Sequence, residues 1–392
     1  MPNNIVGHFK GSPFEKIEEI FYQILTERPR SGQALSIWHN GGCVLDIYGG
    51  FSNYERRLAW TKDTPSVIFS ATKGILSVIA AQLVQSGVLK YEDLVTKWWP
   101  EFNLQGRDRL TVRDLLSHRG GLPVLKDGVT LEQTLDWNYM VQRLESEDVL
   151  WRSGSYYMYH AITYGWLIGE LIVRVSGMSP GEFLQSQIAV PLKLDSWIGV
   201  SEDIQYQVAQ MYTADGLKNA FANIEAEGSY FGDLRLQALS LGGAFTPELV
   251  GPQSGFNDPR VQQAEVPGAN GISTARSLAK FWSAVVVETD GMRLLSDEVI
   301  TRATTLQSTG NPFNELPPPY SRFGMGFQLD SEARRYLSSR SFGHNGAGGQ
   351  TAFADLEHKI GFAYLTTEME DSACDTRATR LITALRDALA QG

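Results

Sequence analysis

Cysteine is scarce in this chain of 392 residues, with only Cys43 and Cys374 present, one near each end. Two residues so far apart make no disulfide framework and demand no oxidising compartment, so both are expected to be free thiols. Histidine is nearly as rare. His8, His39, His118, His160, His344 and His358 have no metal-ligand spacing to one another or to the cysteines, which argues against a structural or catalytic metal. Runs of Lys and Arg are missing as well. With a formal net charge of -10 and a pI near 5.2, the chain cannot neutralise a phosphate backbone as a general nucleic-acid binder does. No stretch is apolar for long enough to span a bilayer, and "MPNNIVGHFKGSPFEKIEEIF" holds no uninterrupted apolar segment of signal-peptide length. These absences lead to the expectation of a soluble, cytoplasmic protein.

What is present points to a large folded core. Apolar residues make up 43% of the chain and aromatic residues 11%, which excludes disorder, and the length suggests two domains or one with a large insertion. An amphipathic stretch from about Phe14 to Thr26 predicts a helix. "GQALSIWHNGGCVLDIYGG" then alternates apolar and polar residues around Asn40-Gly41-Gly42, a hairpin signal because Asn-Gly takes the positive φ of a tight turn. A third strand-like run, "SVIFS", follows.

From there to about Gly271 the patterns are mostly helical. "TVRDLLSHRGGLP" begins as a short helix that breaks at Gly120-Gly121, and "AITYGWLIGELIVRVSG" has helical spacing with a stop at Gly177. Between Ser201 and Asn270 periodicity is weak, which predicts loops able to wall a pocket. Strand patterns return in "RFGMGFQL", "SFGHNGAGGQTAFADLE" and "KIGFAYLTTEM", and a helix is predicted from about Asp375 to Ala390. Strands at both ends with helices between predict an α+β fold: an antiparallel sheet built from both chain ends (1–68 and 272–392), flanked by helices. A mainly helical insertion (69–271) would carry the pocket loops, with the active site between the two parts.

"FSATKGILSVIAAQLV" (69–84) sets Ser70 and Lys73 three residues apart at the head of a long apolar run. Ser-x-x-Lys alone is weak and occurs again at Ser277 to Lys280, where Ser273 or Thr274 is the expected N-cap and Ser277 reads as an outward position on a surface helix. Ser70 differs in context. It lies where a strand-like run ends, and Ile75, Leu76, Val78, Ile79, Leu83 and Val84 leave its helix almost no polar face, so the helix is buried. Positions i and i+3 have β-carbons about 5–6 Å apart, within reach of the Lys73 amine. Burial lowers a lysine's pKa and lets it accept a proton, and the helix N-terminus favours developing negative charge. A plain N-cap with a snorkelling lysine is the alternative. "WRSGSYYMYHAITYGW" adds Tyr159, a phenol able to relay a proton.

Taken in order, Ser70-Ala71-Thr72-Lys73, "LLSHRGGLP", Gly154 five residues before Tyr159, and "FGHNGAGG" resemble the penicillin-recognising serine hydrolases. These include class C β-lactamases, DD-peptidases and the β-lactamase-like family VIII carboxylesterases. The likeness runs from about Gly32 to Met369. It implies a β-lactamase/transpeptidase-like fold, Ser70 as acylated nucleophile, Lys73 as its base, Tyr159 as proton relay, and an oxyanion hole from the backbone N–H groups of Ser70 and Ala347. His344-Asn345-Gly346 stands at the family's Lys-Thr-Gly strand motif and would face the substrate; a histidine that merely orders the cleft edge is the alternative for His344. No cofactor or metal is implied.

Two departures bear on substrate. Tyr159-His160-Ala161 lacks the asparagine that holds an acylamino group in lactam- and peptide-acting relatives, and His344 replaces the lysine that binds a carboxylate there. Both point toward small-molecule esters of short to medium acyl chains, with Trp151, Tyr156, Trp166 and Ala161 as candidate pocket residues. A β-lactamase or D-alanyl-D-alanine peptidase, an acyltransferase using the same acyl-enzyme, and a scaffold without chemistry are the rival readings. Oligomeric state is not legible.

Overall fold

The computed structural model describes residues 12–104, 106–246 and 248–390. The amino-terminal stretch read above for a leader sequence lies mostly outside them. Among the described residues no helix is long and apolar enough to cross a membrane.

Eight antiparallel strands form the main sheet, in the spatial order Arg322–Phe323, Gln328–Leu329, Ser341–Asn345, Thr351–Asp355, Ile360–Thr366, Gly32–His39, Gly42–Asn53 and Leu58–Ala59. The two ends of the chain meet at its centre, where Gly32–His39 pairs with Ile360–Thr366 in a register running from Gln33 opposite Thr366 to His39 opposite Ile360. The turn joining the first two strands holds Asn40 at φ 51° and Gly41 at φ 81°, the geometry that Asn-Gly favours.

Side chains along these strands alternate between two cores, as the twofold repeat of a strand requires. Leu35, Ile37, Leu45, Ile47, Phe353 and Phe362 pack with Ile17, Phe21, Leu381 and Leu385 from helices Glu15–Glu27 and Arg377–Ala390. Ala34, Trp38, Ala352, Ala354, Ala363 and Leu365 face the larger core, which includes Leu278 and Trp282 of helix Ala275–Val286. Small residues on this second face let the helix lie close. With each large apolar side chain worth about 1.5–3 kcal/mol when buried, two-sided burial holds the seam between the chain ends.

The long apolar run of the sequence forms helix Ala71–Gln85, in which only Gln82 and Gln85 escape full burial. It packs between helix Tyr164–Ser176 and strand Ser341–Asn345. Tyr164–Ser176 ends, as expected, on Gly177 at φ 74°.

Three sequence expectations are corrected. Ser66–Val67, from "SVIFS", joins a separate three-stranded sheet with Gly271–Ser273 and Ser196–Ile198 rather than the main sheet. The short helix Val112–Leu116 stops before the Gly-Gly pair, because His118 already turns the chain at φ 62°. The supposed loops between Ser201 and Asn270 contain helices Asp215–Glu227 and Tyr230–Ser240. These lie at the surface and bury few residues, so their sequences carry only a weak apolar stripe.

Candidate active site

Ser70 stands at the head of helix Ala71–Gln85, and the backbone before it is bent into place. Phe69, buried at 1% exposure, takes a left-handed φ of 45°, an unfavourable conformation for a bulky residue that persists only where the surroundings enforce it. The corner is tied by N–H bonds from Ala71 to the Ile68 carbonyl, Thr72 to Phe69 and Lys73 to Ser70, and the Ser70 N–H has no partner among the described residues. Ser70 occupies the N-cap position without making a side-chain cap bond. Its hydroxyl is therefore available to Lys73, and the plain N-cap alternative does not hold.

Lys73 has no exposed surface. Its Nζ lies 2.6 Å from the Ala161 carbonyl oxygen, 2.7 Å from that of Gly268 and 3.0 Å from Ser70 Oγ. An ammonium would donate to all three. A neutral amine has two hydrogens for the two carbonyls and turns its lone pair toward the serine. Burial pushes the Lys73 pKa well below its ordinary range and so favours the second state. Gly165 and Gly268 make the carbonyl pair possible: a β-carbon on Gly165 would fall 2.1 Å from Gly268 N, and one on Gly268 2.5 Å from the Ile162 carbonyl oxygen.

Tyr159 lies beside the lysine, with Nζ 4.9 Å from its ring centroid. Burial raises its pKa, a hydrogen bond to the Ser70 side chain opposing that rise, so the phenol keeps its proton. Phe323 stacks on its ring at 6.0 Å, and His118 and His344 contact it at 4.9 and 5.9 Å.

The strand ending in His344-Asn345-Gly346 runs directly against this corner, for a β-carbon on Gly346 would meet the Ile68 carbonyl oxygen at 2.1 Å. His344 is fully buried, its Nδ1 lies 2.8 Å from the Asn345 carbonyl oxygen, and burial drops its pKa to about 3. It is thus a neutral imidazole with Nδ1–H donating and Nε2 left as an acceptor without a partner among the described residues. Asn345 is anchored: its N–H donates to Gln328 Oε1 and its Oδ1 accepts from the Tyr336 hydroxyl. Ala347 opens the turn that follows. Arg377, 3% exposed, supports that turn from beneath by donating to the Gly348 and Glu368 carbonyls while paired with Asp375. Nothing local in the sequence marks Arg377.

His160 is buried, with both ring nitrogens turned to backbone groups. Its Nδ1 lies 2.7 Å from the Met158 carbonyl, its Nε2 accepts from Leu122 N–H, and burial lowers its pKa to about 4, so it is a neutral structural group. Ala161 is 4% exposed and contributes its carbonyl to Lys73. Trp151 is 5% exposed, donates Nε1–H to the Arg119 carbonyl and packs on Phe313 at 4.7 Å, while Tyr156, 55% exposed, meets the edge of Phe313. Trp166 is completely buried in the larger core.

The second Ser-x-x-Lys is not the surface pair it resembles. Ser277 and Lys280 are buried on helix Ala275–Val286, capped by Thr274. Ser277 Oγ accepts from Asp195 N–H, whereas Lys280 goes to the Leu192 carbonyl and Asp290, so they form no couple. The reading as an outward position failed because the helix is sandwiched between the sheet and the rest of the core. A cavity of about 1850 Å³, lined in part by Arg30, Tyr206, Tyr212 and Glu368, is likewise distinct, since Ser70, Lys73, Tyr159 and His344 do not line it.

This arrangement has relatives. Residues 17–386 match the family described as Beta-lactamase. The esterase/beta-lactamase LipL of Mycobacterium tuberculosis is 30% identical over 358 residues, covering 89% of this chain and 80% of that protein. Among solved structures, EstA from Arthrobacter nitroguajacolicus Rue61a superposes with a TM-score of 0.85 at 27% identity, covering 100% of this chain and 99% of that one. A family VIII carboxylesterase gives 0.84, also at 27% identity, covering 96% and 97%. With a matching fold and a matched segment that takes in nearly every described residue, the chain belongs to the β-lactamase family and is a serine hydrolase of that fold.

Proposed function

We propose that the protein is a carboxylesterase that cleaves esters of short to medium acyl chains through an acyl-enzyme on Ser70. The observation that carries this reading is the three-way setting of fully buried Lys73, whose Nζ lies within hydrogen-bond distance of two backbone carbonyls and of Ser70 Oγ, a geometry in which a neutral amine gives its hydrogens to the carbonyls and its lone pair to the serine. In acylation Lys73 removes the Ser70 proton as Oγ attacks the ester carbonyl, and the oxyanion is received by the N–H groups of Ser70 and Ala347. Tyr159 gives its phenolic proton to the departing alkoxide and takes back the proton that Lys73 holds, so that both begin deacylation as neutral amine and phenol. Water, activated by the same pair, then attacks the acyl-enzyme, and the carboxylic acid leaves with Ser70 reprotonated.

The preference for esters rests on the neutral state of His344, which offers no cation to a substrate carboxylate. The positive charges felt there are those of Lys73 when protonated and, more weakly, Arg334, whose guanidinium is engaged with the Ala333 carbonyl and Ser372 Oγ. The similar family VIII carboxylesterase adds support, whereas the description of LipL carries both esterase and β-lactamase.

The test is hydrolysis of p-nitrophenyl acetate and butyrate beside nitrocefin, with intact-mass detection of an acyl adduct. Ester turnover that disappears together with the adduct in Ser70→Ala is the expected result. Retained turnover in Ser70→Ala, or nitrocefin turnover equal to that of the esters, overturns the reading.

A further inference from the structure

Tyr159 sits in a loop, and a proton relay in a loop needs something to hold it. Met158 and His160, its two neighbours, both donate their backbone N–H groups to one residue. Met158 N–H goes to the carbonyl of His118 at 3.2 Å, and His160 N–H goes to His118 Nδ1 at 3.3 Å. The same imidazole packs on the Tyr159 ring at 4.9 Å, and on Tyr164 and Phe323 at the same distance. His118 is itself fixed. It is fully buried, its N–H donates to the Leu115 carbonyl, and the preceding Ser117 carbonyl accepts from Ser308 Oγ. Its φ of 62° aims carbonyl and ring at the same loop, a conformation uncommon for a residue other than glycine.

We propose that His118 is the positioning residue for Tyr159, clasping the backbone on both sides of the phenol and buttressing its ring at the place where the proton is delivered. The inference rests on the reading of Tyr159 as the relay. The clasp requires a neutral imidazole, because Nδ1 must accept, and the proton therefore resides on Nε2, which has no oxygen or nitrogen partner among the described residues. The charged and titratable groups facing the ring are Lys73, Tyr159, His160, Tyr164 and His344. None is a carboxylate that would stabilise an imidazolium.

Asparagine separates positioning from mere packing, for its Oδ1 sits where Nδ1 does and it tolerates a positive φ, whereas leucine fills similar space without an acceptor. A misplaced relay costs up to about 100-fold in rate. His118→Leu is accordingly expected to lower kcat on p-nitrophenyl butyrate by roughly 30- to 100-fold with KM nearly unchanged, and His118→Asn to recover most of that loss. Labelling of Ser70 by a fluorophosphonate is expected to continue in both variants, which reports an intact nucleophile. In a Tyr159→Phe background the His118→Leu change is expected to add no more than about a twofold loss, since coupled residues are not additive.

Equal losses in the leucine and asparagine variants, or a full multiplicative loss in the Tyr159→Phe background, overturn the inference. If His118→Leu does not fold, asparagine against His118→Gln, which carries its polar atoms one bond further out, makes the same comparison. A Tyr159→Phe enzyme with undiminished turnover removes the relay reading itself, and the inference with it. An impaired Tyr159→Phe beside an unimpaired His118→Leu removes the inference alone.

Discussion

In the proposed mechanism the nucleophilicity of Ser70 depends on one proton on Lys73. Spacing in the sequence brings the two side chains together, yet spacing gives no protonation state, and the same spacing at Ser277 and Lys280 produces no couple at all. The difference is complete burial of Lys73 beside two carbonyls but no carboxylate partner. The folded pKa lies below the ordinary 10.5, so the basic form is populated progressively as pH rises and is complete before that value. The kcat/KM for ester hydrolysis is expected to climb with pH and to level off well below 10.5; a climb still under way there would contradict a neutral-amine base. Lys73→Arg keeps a cation that cannot release its proton and is expected to lose roughly 10²–10⁴-fold in kcat. His344 illustrates the converse. The sequence allows it a partial charge, and the fold removes that charge by desolvation.

Among the secondary elements, helices Ala71–Gln85 and Tyr164–Ser176 set the depth of the site. The helix ending at Gly177 and the buried run after Ser70 are both legible as patterns of apolar spacing. What cannot be read is that the second helix begins against the 267–268 backbone with no room for a side chain at Gly165. Gly165→Ala is expected to destabilise the protein by about 1–3 kcal/mol through overpacking, and also to lower kcat by displacing the Gly268 carbonyl from Lys73. Chemical denaturation and steady-state kinetics on one preparation check both effects, and a variant that loses stability with unchanged kcat would show that the carbonyl does not set the base. The surface helices Asp215–Glu227 and Tyr230–Ser240 escaped the sequence reading for the opposite reason. They bury so little that no strong periodicity is needed.

For the molecule as a whole, three buried histidines, His118, His160 and His344, share one region with Lys73, and burial lowers the pKa of each. Their protons are bound by the unfolded chain below about pH 6.5 and refused by the folded protein until much lower. Stability is therefore full above that value and falls as the pH drops, His160 ceasing to contribute below about 4 and His344 below about 3. At about 1.4 kcal/mol per pKa unit, the His160 shift alone corresponds to roughly 3 kcal/mol. Urea midpoints measured between pH 7 and pH 4 are expected to decline, with a shallower decline in His160→Gln even if that variant is weaker at pH 7. An identical slope in the variant would rule out His160 as a source.

The sequence by itself determined the order of the strongly periodic elements, the sheet drawn from both chain ends, and that the side chains of Ser70 and Lys73 lie within reach of each other, because each follows from short-range periodicity or from spacing within one turn of helix. Tertiary structure alone decided that Lys73 lies between carbonyls 88 and 195 residues away, that His118 braces both neighbours of Tyr159, and that Ser66–Val67 leaves the main sheet. Those outcomes depend on desolvation and on close backbone approach between distant segments. Neither is encoded in any local run of residues.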